Sequence, residues 1–121
     1  MPILDTNFLI ALDSGVPEAH ALLDDLADEA LLVPSIVAAE YLTHFPEPRS
    51  VQGKLDNAFQ VVHTDGPWIH EAALLRRAHR GTSRIRRMDL WIAVWAKQHG
   101  TFVVTQDTED FRALGVRTRS W

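Results

Sequence analysis

Four carboxylates stand in surroundings that do not call for charge. Asp5 follows the apolar run Met1–Leu4, and Glu40 is the only charged residue between Glu29 and Glu47. Asp89 opens the apolar stretch Asp89-Leu90-Trp91-Ile92-Ala93-Val94-Trp95-Ala96, and Asp107 lies just past Thr101-Phe102-Val103-Val104-Thr105. Each has an ordinary structural use when taken alone. Asp5 and Asp107 suit a turn or a helix N-cap, and Glu40 suits a solvent-facing or salt-bridged position. Asp89 suits a helix N-terminus, worth about 0.3–1 kcal/mol, and Arg86 or Arg87 can pair with it. Together, two acids that follow strands and two in helical segments can converge on one sheet edge, where like charges repel unless a cation joins them. The chain has no Cys, and His20, His44, His63, His70, His79 and His99 form no close ligand pair. Ligation would therefore be by oxygen alone, which selects hard ions such as Mg2+ or Mn2+. Asp110, one helical turn after Asp107, is an alternative fourth ligand.

The elements that must position these acids follow from local pattern. Met1–Leu4, Leu31–Val33, Val61–His63 and Thr101–Thr105 read as short strands, with Val116–Thr118 as a further edge strand. Between them, helices are predicted over Phe8–Leu12, Pro17–Asp28, from Pro34-Ser35 through Tyr41, and from Asp65-Gly66-Pro67 to about His79. Two more are predicted over Met88–His99 and from a Thr108 cap to Leu114. Pro46 to Ser50 reads as a loop, with weak helix from Val51 to Phe59. Strands alternating with helices predict an α/β fold: a central parallel sheet of four to five strands with helices on both faces, as one domain over residues 1–121. Ligands of such sheets gather outside the carboxyl ends of the strands.

Composition supports a globule and excludes several classes. Of 121 residues, 46% are hydrophobic and 23% charged, enough apolar side chain for a packed core. The absence of Cys removes disulfide scaffolds and thiolate chemistry. No apolar run approaches the roughly 18 residues of a membrane span, and Asp5 interrupts an N-terminus without a basic leader, so a cytoplasmic location and no membrane partner are expected. The net charge of -4 disfavours a nucleic-acid partner only until it is divided along the chain. Residues 1–71 hold 12 acids and two bases, whereas residues 72–121 hold four acids and 10 bases. Six of those bases are Arg76, Arg77, Arg80, Arg84, Arg86 and Arg87, with no acid between Glu71 and Asp89. Such a run is either a solvated helix end or a phosphate-binding surface, since guanidinium forks match phosphate oxygens.

The ordered segments Ile3-Leu4-Asp5-Thr6-Asn7-Phe8-Leu9-Ile10, Pro34 to Glu40, Met88-Asp89-Leu90-Trp91-Ile92-Ala93 and Val103 to Phe111 resemble the four acidic motifs of PIN domains, in particular of VapC-type toxins of toxin-antitoxin pairs. Any one motif is weak; the ordered set covers nearly the whole chain. The resemblance implies a Mg2+- or Mn2+-dependent endoribonuclease, usually a homodimer, held in check by a small cognate VapB-like antitoxin. By position it implies that Asp5, Glu40, Asp89 and Asp107 are catalytic, metal-holding acids, with Thr105 as a supporting hydroxyl. The last motif carries both Asp107 and Asp110, and Asp107 is placed first because it follows the strand directly. On this reading the cation is held chiefly by Asp5 and Asp89, and the arginine run tracks the RNA backbone. Leu42, Phe45 and Val51 to Phe59 offer an apolar face for dimerisation.

Other acidic α/β families fit less well. A haloacid-dehalogenase-type phosphatase needs a second Asp where Asn7 stands, and a receiver domain needs a Lys that neither Lys54 nor Lys97 is placed to supply. The six Gly residues are scattered and build no phosphate loop. A housekeeping RNA-processing nuclease and a non-catalytic PIN-like binding module remain the alternatives.

Overall fold

The structure, a computed structural model, describes residues 1–81 and 85–121. Five strands, β1 (Ile3–Leu4), β2 (Leu32–Pro34), β3 (Gln60–Val62), β4 (Val103–Val104) and β5 (Thr118–Arg119), form one parallel sheet in the order β3-β2-β1-β4-β5. Parallel strands need crossovers, and here α1 (Thr6–Asp13) and α2 (Pro17–Asp25) join β1 to β2, and α3 (Ser35–Leu42) and α4 (Pro48–Ala58) join β2 to β3. Helices α5 (Gly66–Ala78) and α6 (Arg87–Gln98) precede β4, and α7 (Thr108–Ala113) leads to β5. Because crossovers are right-handed and the direction of winding reverses at β1, α1–α4 cover one face and α5–α7 the other. Packing respects that division: α1 meets α3, and α6 meets α5 and α7.

The three central strands are fully buried, which explains why they read as continuous apolar runs instead of alternating patterns. Phe8, Leu26, Val37, Ile92, Trp95 and Phe111 fill the space above and below them. Helix α6 is the most deeply placed helix, with Leu90, Ile92, Ala93, Val94, Trp95 and Ala96 all buried. It closes at Gly100, whose φ of 59° lies in the left-handed region that a Cβ disfavours. Trp95 donates its indole N–H to the His63 carbonyl at 3.3 Å and stacks obliquely on Trp68.

Several boundaries differ from expectation. Helix α4 begins at Pro48, not Val51, because Pro in the first helical turn has no hydrogen bond to lose and can open a helix as readily as break one. Helix α1 starts at Thr6 because Asp5 itself caps it, and the α7 N-cap is Asp107 instead of Thr108. Helix α2 stops at Asp25 instead of Asp28, with Leu26 as its C-cap at φ -98° and ψ 3°, off the helical backbone, and its side chain buried in the core. The edge strand lies at Thr118–Arg119, where the Arg117 carbonyl and Arg119 carbonyl accept from the N–H groups of Val103 and Thr105.

Candidate metal centre

Winding reverses at β1, so the carboxyl ends of β1 and β4 open a crevice between the segments that leave them. Asp5 is the first residue beyond β1, and it is buried at 3% exposure. One carboxylate oxygen accepts from the Thr6 N–H at 2.7 Å, and the other accepts from the Thr105 hydroxyl at 2.7 Å. Thr105 is the first residue beyond β4 and is wholly buried. Its oxygen also accepts from the Asp107 N–H at 3.0 Å and the Asn7 amide at 3.3 Å, so its one proton and both lone pairs are used. Asn7 further donates to Asp107 Oδ2 at 3.4 Å. The hydroxyl of Thr105 thus ties the two strand ends together and sets the distance between Asp5 and Asp107.

Asp89 arrives from a different direction. It lies in the first turn of α6, and the apolar body of that helix draws the turn inward until Asp89 has no exposed surface. One oxygen each of Asp5, Asp89 and Asp107 then lie within 4.8 Å of one another. Three carboxylates so close, two of them buried, disfavour full ionisation. Burial pushes the Asp89 carboxyl up to about 7, Arg86 opposes the rise, and the neighbouring Asp5 and Asp107 add to it. Asp5 is raised as well, first by burial, while its bonds from Thr105 and Thr6 pull it back.

Arg86, one residue before α6, is the cation that the described residues bring to this site. Its Nη2 lies 2.7 Å from Asp107 Oδ2 and 3.4 Å from Asp89 Oδ1, and its Nε donates to Asp89 Oδ2 at 3.4 Å. The side chain is nevertheless 61% exposed. The other arginines are placed differently. Arg76 and Arg77 occupy the exposed last turn of α5, Arg80 follows it, and Arg87 is exposed beside Arg86. Arg84 lies outside the described residues.

Glu40 is not in the group of three. It lies on α3, and its Oε2 accepts from the Thr6 hydroxyl at 2.5 Å, one residue along from Asp5. Asp110 also stands apart, in α7 on a polar rim with Gln106, Asp107, Thr108 and Glu109. Asn7 and Thr6 join the site although sequence reasoning did not place them there, since Asp5-Thr6-Asn7 reads as a helix-capping turn. A polar side chain in that turn was the available signal. Trp95 is core, and Trp91 is half-buried against Trp68 with ring centroids 5.6 Å apart.

The donor chemistry fits a hard divalent cation. The three clustered groups offer only carboxylate oxygens, whose mutual repulsion such an ion removes. Beside them, Asn7 Oδ1 is buried and meets no hydrogen-bond donor among the described residues, leaving one neutral oxygen available to a cation or its water. A groove of about 650 Å³ between α5 and α6, lined by Leu74, Leu75, Ala78 and Val94, contains none of these acids. Among the described residues no helix is long and apolar enough to cross a membrane.

With this geometry in place, residues 3–116 match the model of the PIN domain family. No curated protein is significantly similar in sequence. Among solved structures, FitAcB from Neisseria gonorrhoeae is 26% identical, covering 98% of this chain and 96% of that one with a TM-score of 0.78. DNA-bound VapBC from Salmonella typhimurium is 20% identical, covering 100% and 99% with a TM-score of 0.82. A toxin-antitoxin complex from Klebsiella pneumoniae is 23% identical, covering 92% and 90% with a TM-score of 0.74.

Proposed function

The chain belongs to the PIN domain family, and from that premise we propose that it is a Mg2+- or Mn2+-dependent endoribonuclease, the toxin of a toxin-antitoxin pair, with its ribonuclease unit spanning residues 1–121. One observation carries the reading. Asp5, Asp89 and Asp107 come from three separate segments, yet they meet within 4.8 Å at the crevice where such folds bind ligands. Three mutually repelling carboxylates, two of them buried, carry more negative charge than the single, mostly exposed guanidinium of Arg86 offsets, so a purely structural role does not account for them.

Asp5, Asp89 and Asp107 would hold the ion, which supplies Lewis-acid charge to the scissile phosphate and the attacking water. Thr105 holds Asp5 in place through the 2.7 Å bond and Asn7 steadies Asp107, so neither carboxylate has to reorganise when the ion arrives. Glu40, outside the group of three but tied to Thr6, is the carboxylate free to orient the attacking water and take its proton. Arg76, Arg77, Arg80 and Arg87 are each exposed and would supply contacts to the RNA backbone; Arg84 belongs to the same run in the sequence. Such phosphate contacts supply affinity without sequence information; choice of target would come from unpaired bases.

The toxin assignment draws on the VapBC, FitAcB and toxin-antitoxin structures that this fold resembles. It gives the protein a small antitoxin partner, a homodimeric state and a cytoplasmic location. Incubation of the purified chain with a panel of structured RNAs, with Mg2+ and with EDTA, tests the nuclease reading. Metal-dependent cleavage inside a loop is expected, and intact RNA across the panel would leave a non-catalytic binding module. Expression of the chain alone should arrest growth, whereas unimpaired growth with active enzyme would indicate a housekeeping nuclease.

A further inference from the structure

We propose that Arg86 is a built-in competitor for the metal: its guanidinium fills the cation position beside Asp89 and Asp107 and must leave before a divalent ion can use them. This role rests on the metal-dependent reading above. Within the fold, both oxygens of Asp5 are already taken by Thr6 and Thr105. Both oxygens of Asp89 and Oδ2 of Asp107 are instead met by Arg86. The same arginine therefore contacts two of the three carboxylates that a cation would bridge, from outside the crevice.

Its hold is of a kind that can be released. The contacts to Asp89 are long, at 3.4 Å, and only the 2.7 Å contact to Asp107 is short. The guanidinium is mostly solvated, which weakens an ion pair. Among the described residues no ion pair reaches Asp5, so the acidic group remains under-neutralised. A divalent ion can reach all three carboxylates and supplies twice the charge. Arg87, the next residue, provides the contrast: it too is exposed and makes no ion pair among the described residues.

Displacement has a consequence for the reaction. Arg86 swung out of the acidic group is free to meet a substrate phosphate, placing a guanidinium next to the crevice only when the ion is in place. The metal-free protein would be doubly disarmed, lacking the ion and holding Arg86 back from the substrate.

The experiment uses the full chain and Mn2+ alone, with affinity read by isothermal titration calorimetry and by thermal shift, so cleavage is not the readout. Wild type, Arg86→Gln and Arg87→Gln are compared. Removing a positive charge in contact with two ligands is expected to tighten Mn2+ binding about tenfold in Arg86→Gln. Arg87→Gln should stay within about twofold of wild type, since its charge lies outside those contacts. Equal or weaker Mn2+ binding by Arg86→Gln, with wild type binding normally, would overturn the role of Arg86 while leaving the metal centre standing. Absence of Mn2+ binding by all three proteins would overturn both.

Discussion

Neutralising a buried acid of the centre should stabilise the metal-free protein, contrary to the usual effect of a substitution in a core. Asp89 has no exposed surface, and its carboxyl is pushed from 3.8 up to about 7. At about 1.4 kcal/mol per pH unit, that rise corresponds to about 4 kcal/mol of destabilisation once the group is forced to ionise. The folded state holds a proton that the unfolded chain has already released, so metal-free stability should fall as the pH rises from about 4 to about 7 and then level off. Asp89→Asn removes the ionisation. The amide must find partners where the carboxyl stood, which takes back about 1–2 kcal/mol and leaves a gain of about 2 kcal/mol at pH 8. For a domain of this size that is about 6–10 °C in Tm. The assay is thermal unfolding in EDTA at pH 4 and pH 8, followed by unfolding at pH 8 with Mn2+. The variant should be more stable than wild type at pH 8, the advantage should vanish near pH 4, and Mn2+ should stabilise only wild type. A variant less stable than wild type in EDTA at pH 8, or a gain independent of pH, would mean that ionisation of Asp89 does not burden the metal-free fold.

Thr105→Val keeps the side-chain shape but removes the hydroxyl shared by Asp5, Asp107 and Asn7. It should cost about 1–3 kcal/mol by urea unfolding, while Thr105→Ser retains most of the stability. Replacing Arg76, Arg77 and Arg80 together by Gln should leave the fold unchanged, because all three are exposed. In filter binding of single-stranded RNA, it should reduce the salt slope by about 2, at roughly 0.7 for each phosphate no longer neutralised. An unchanged slope would move the RNA path elsewhere.

The parallel sheet was legible because fully buried strands leave apolar runs that only a two-sided sheet requires, and the Thr101–Thr105 run located β4 to within two residues at each end. The start of α4 was not, since Pro48 is equally at home ending a loop or opening a helix. Asp5, Asp89 and Asp107 were visible as acids out of place, but chain position says nothing about where a side chain points. Glu40 therefore looked equivalent to them, whereas in the fold it is bound to Thr6. Arg86 and Arg87 were equivalent pairing candidates for Asp89; only the backbone direction at the start of α6 turns Arg86 towards the acids. Asn7 carried no charge to mark it, and its role depends on bonds to residues about a hundred positions away.

Whether these carboxylates form a metal centre that cuts RNA is decided by Asp5→Asn. Asparagine preserves the shape of the side chain and keeps an acceptor for the Thr6 N–H, so the fold should survive. Cleavage of a structured RNA should be abolished at any Mg2+ concentration in a variant whose circular dichroism matches wild type. Undiminished cleavage by Asp5→Asn, or full wild-type activity in EDTA, would contradict the account.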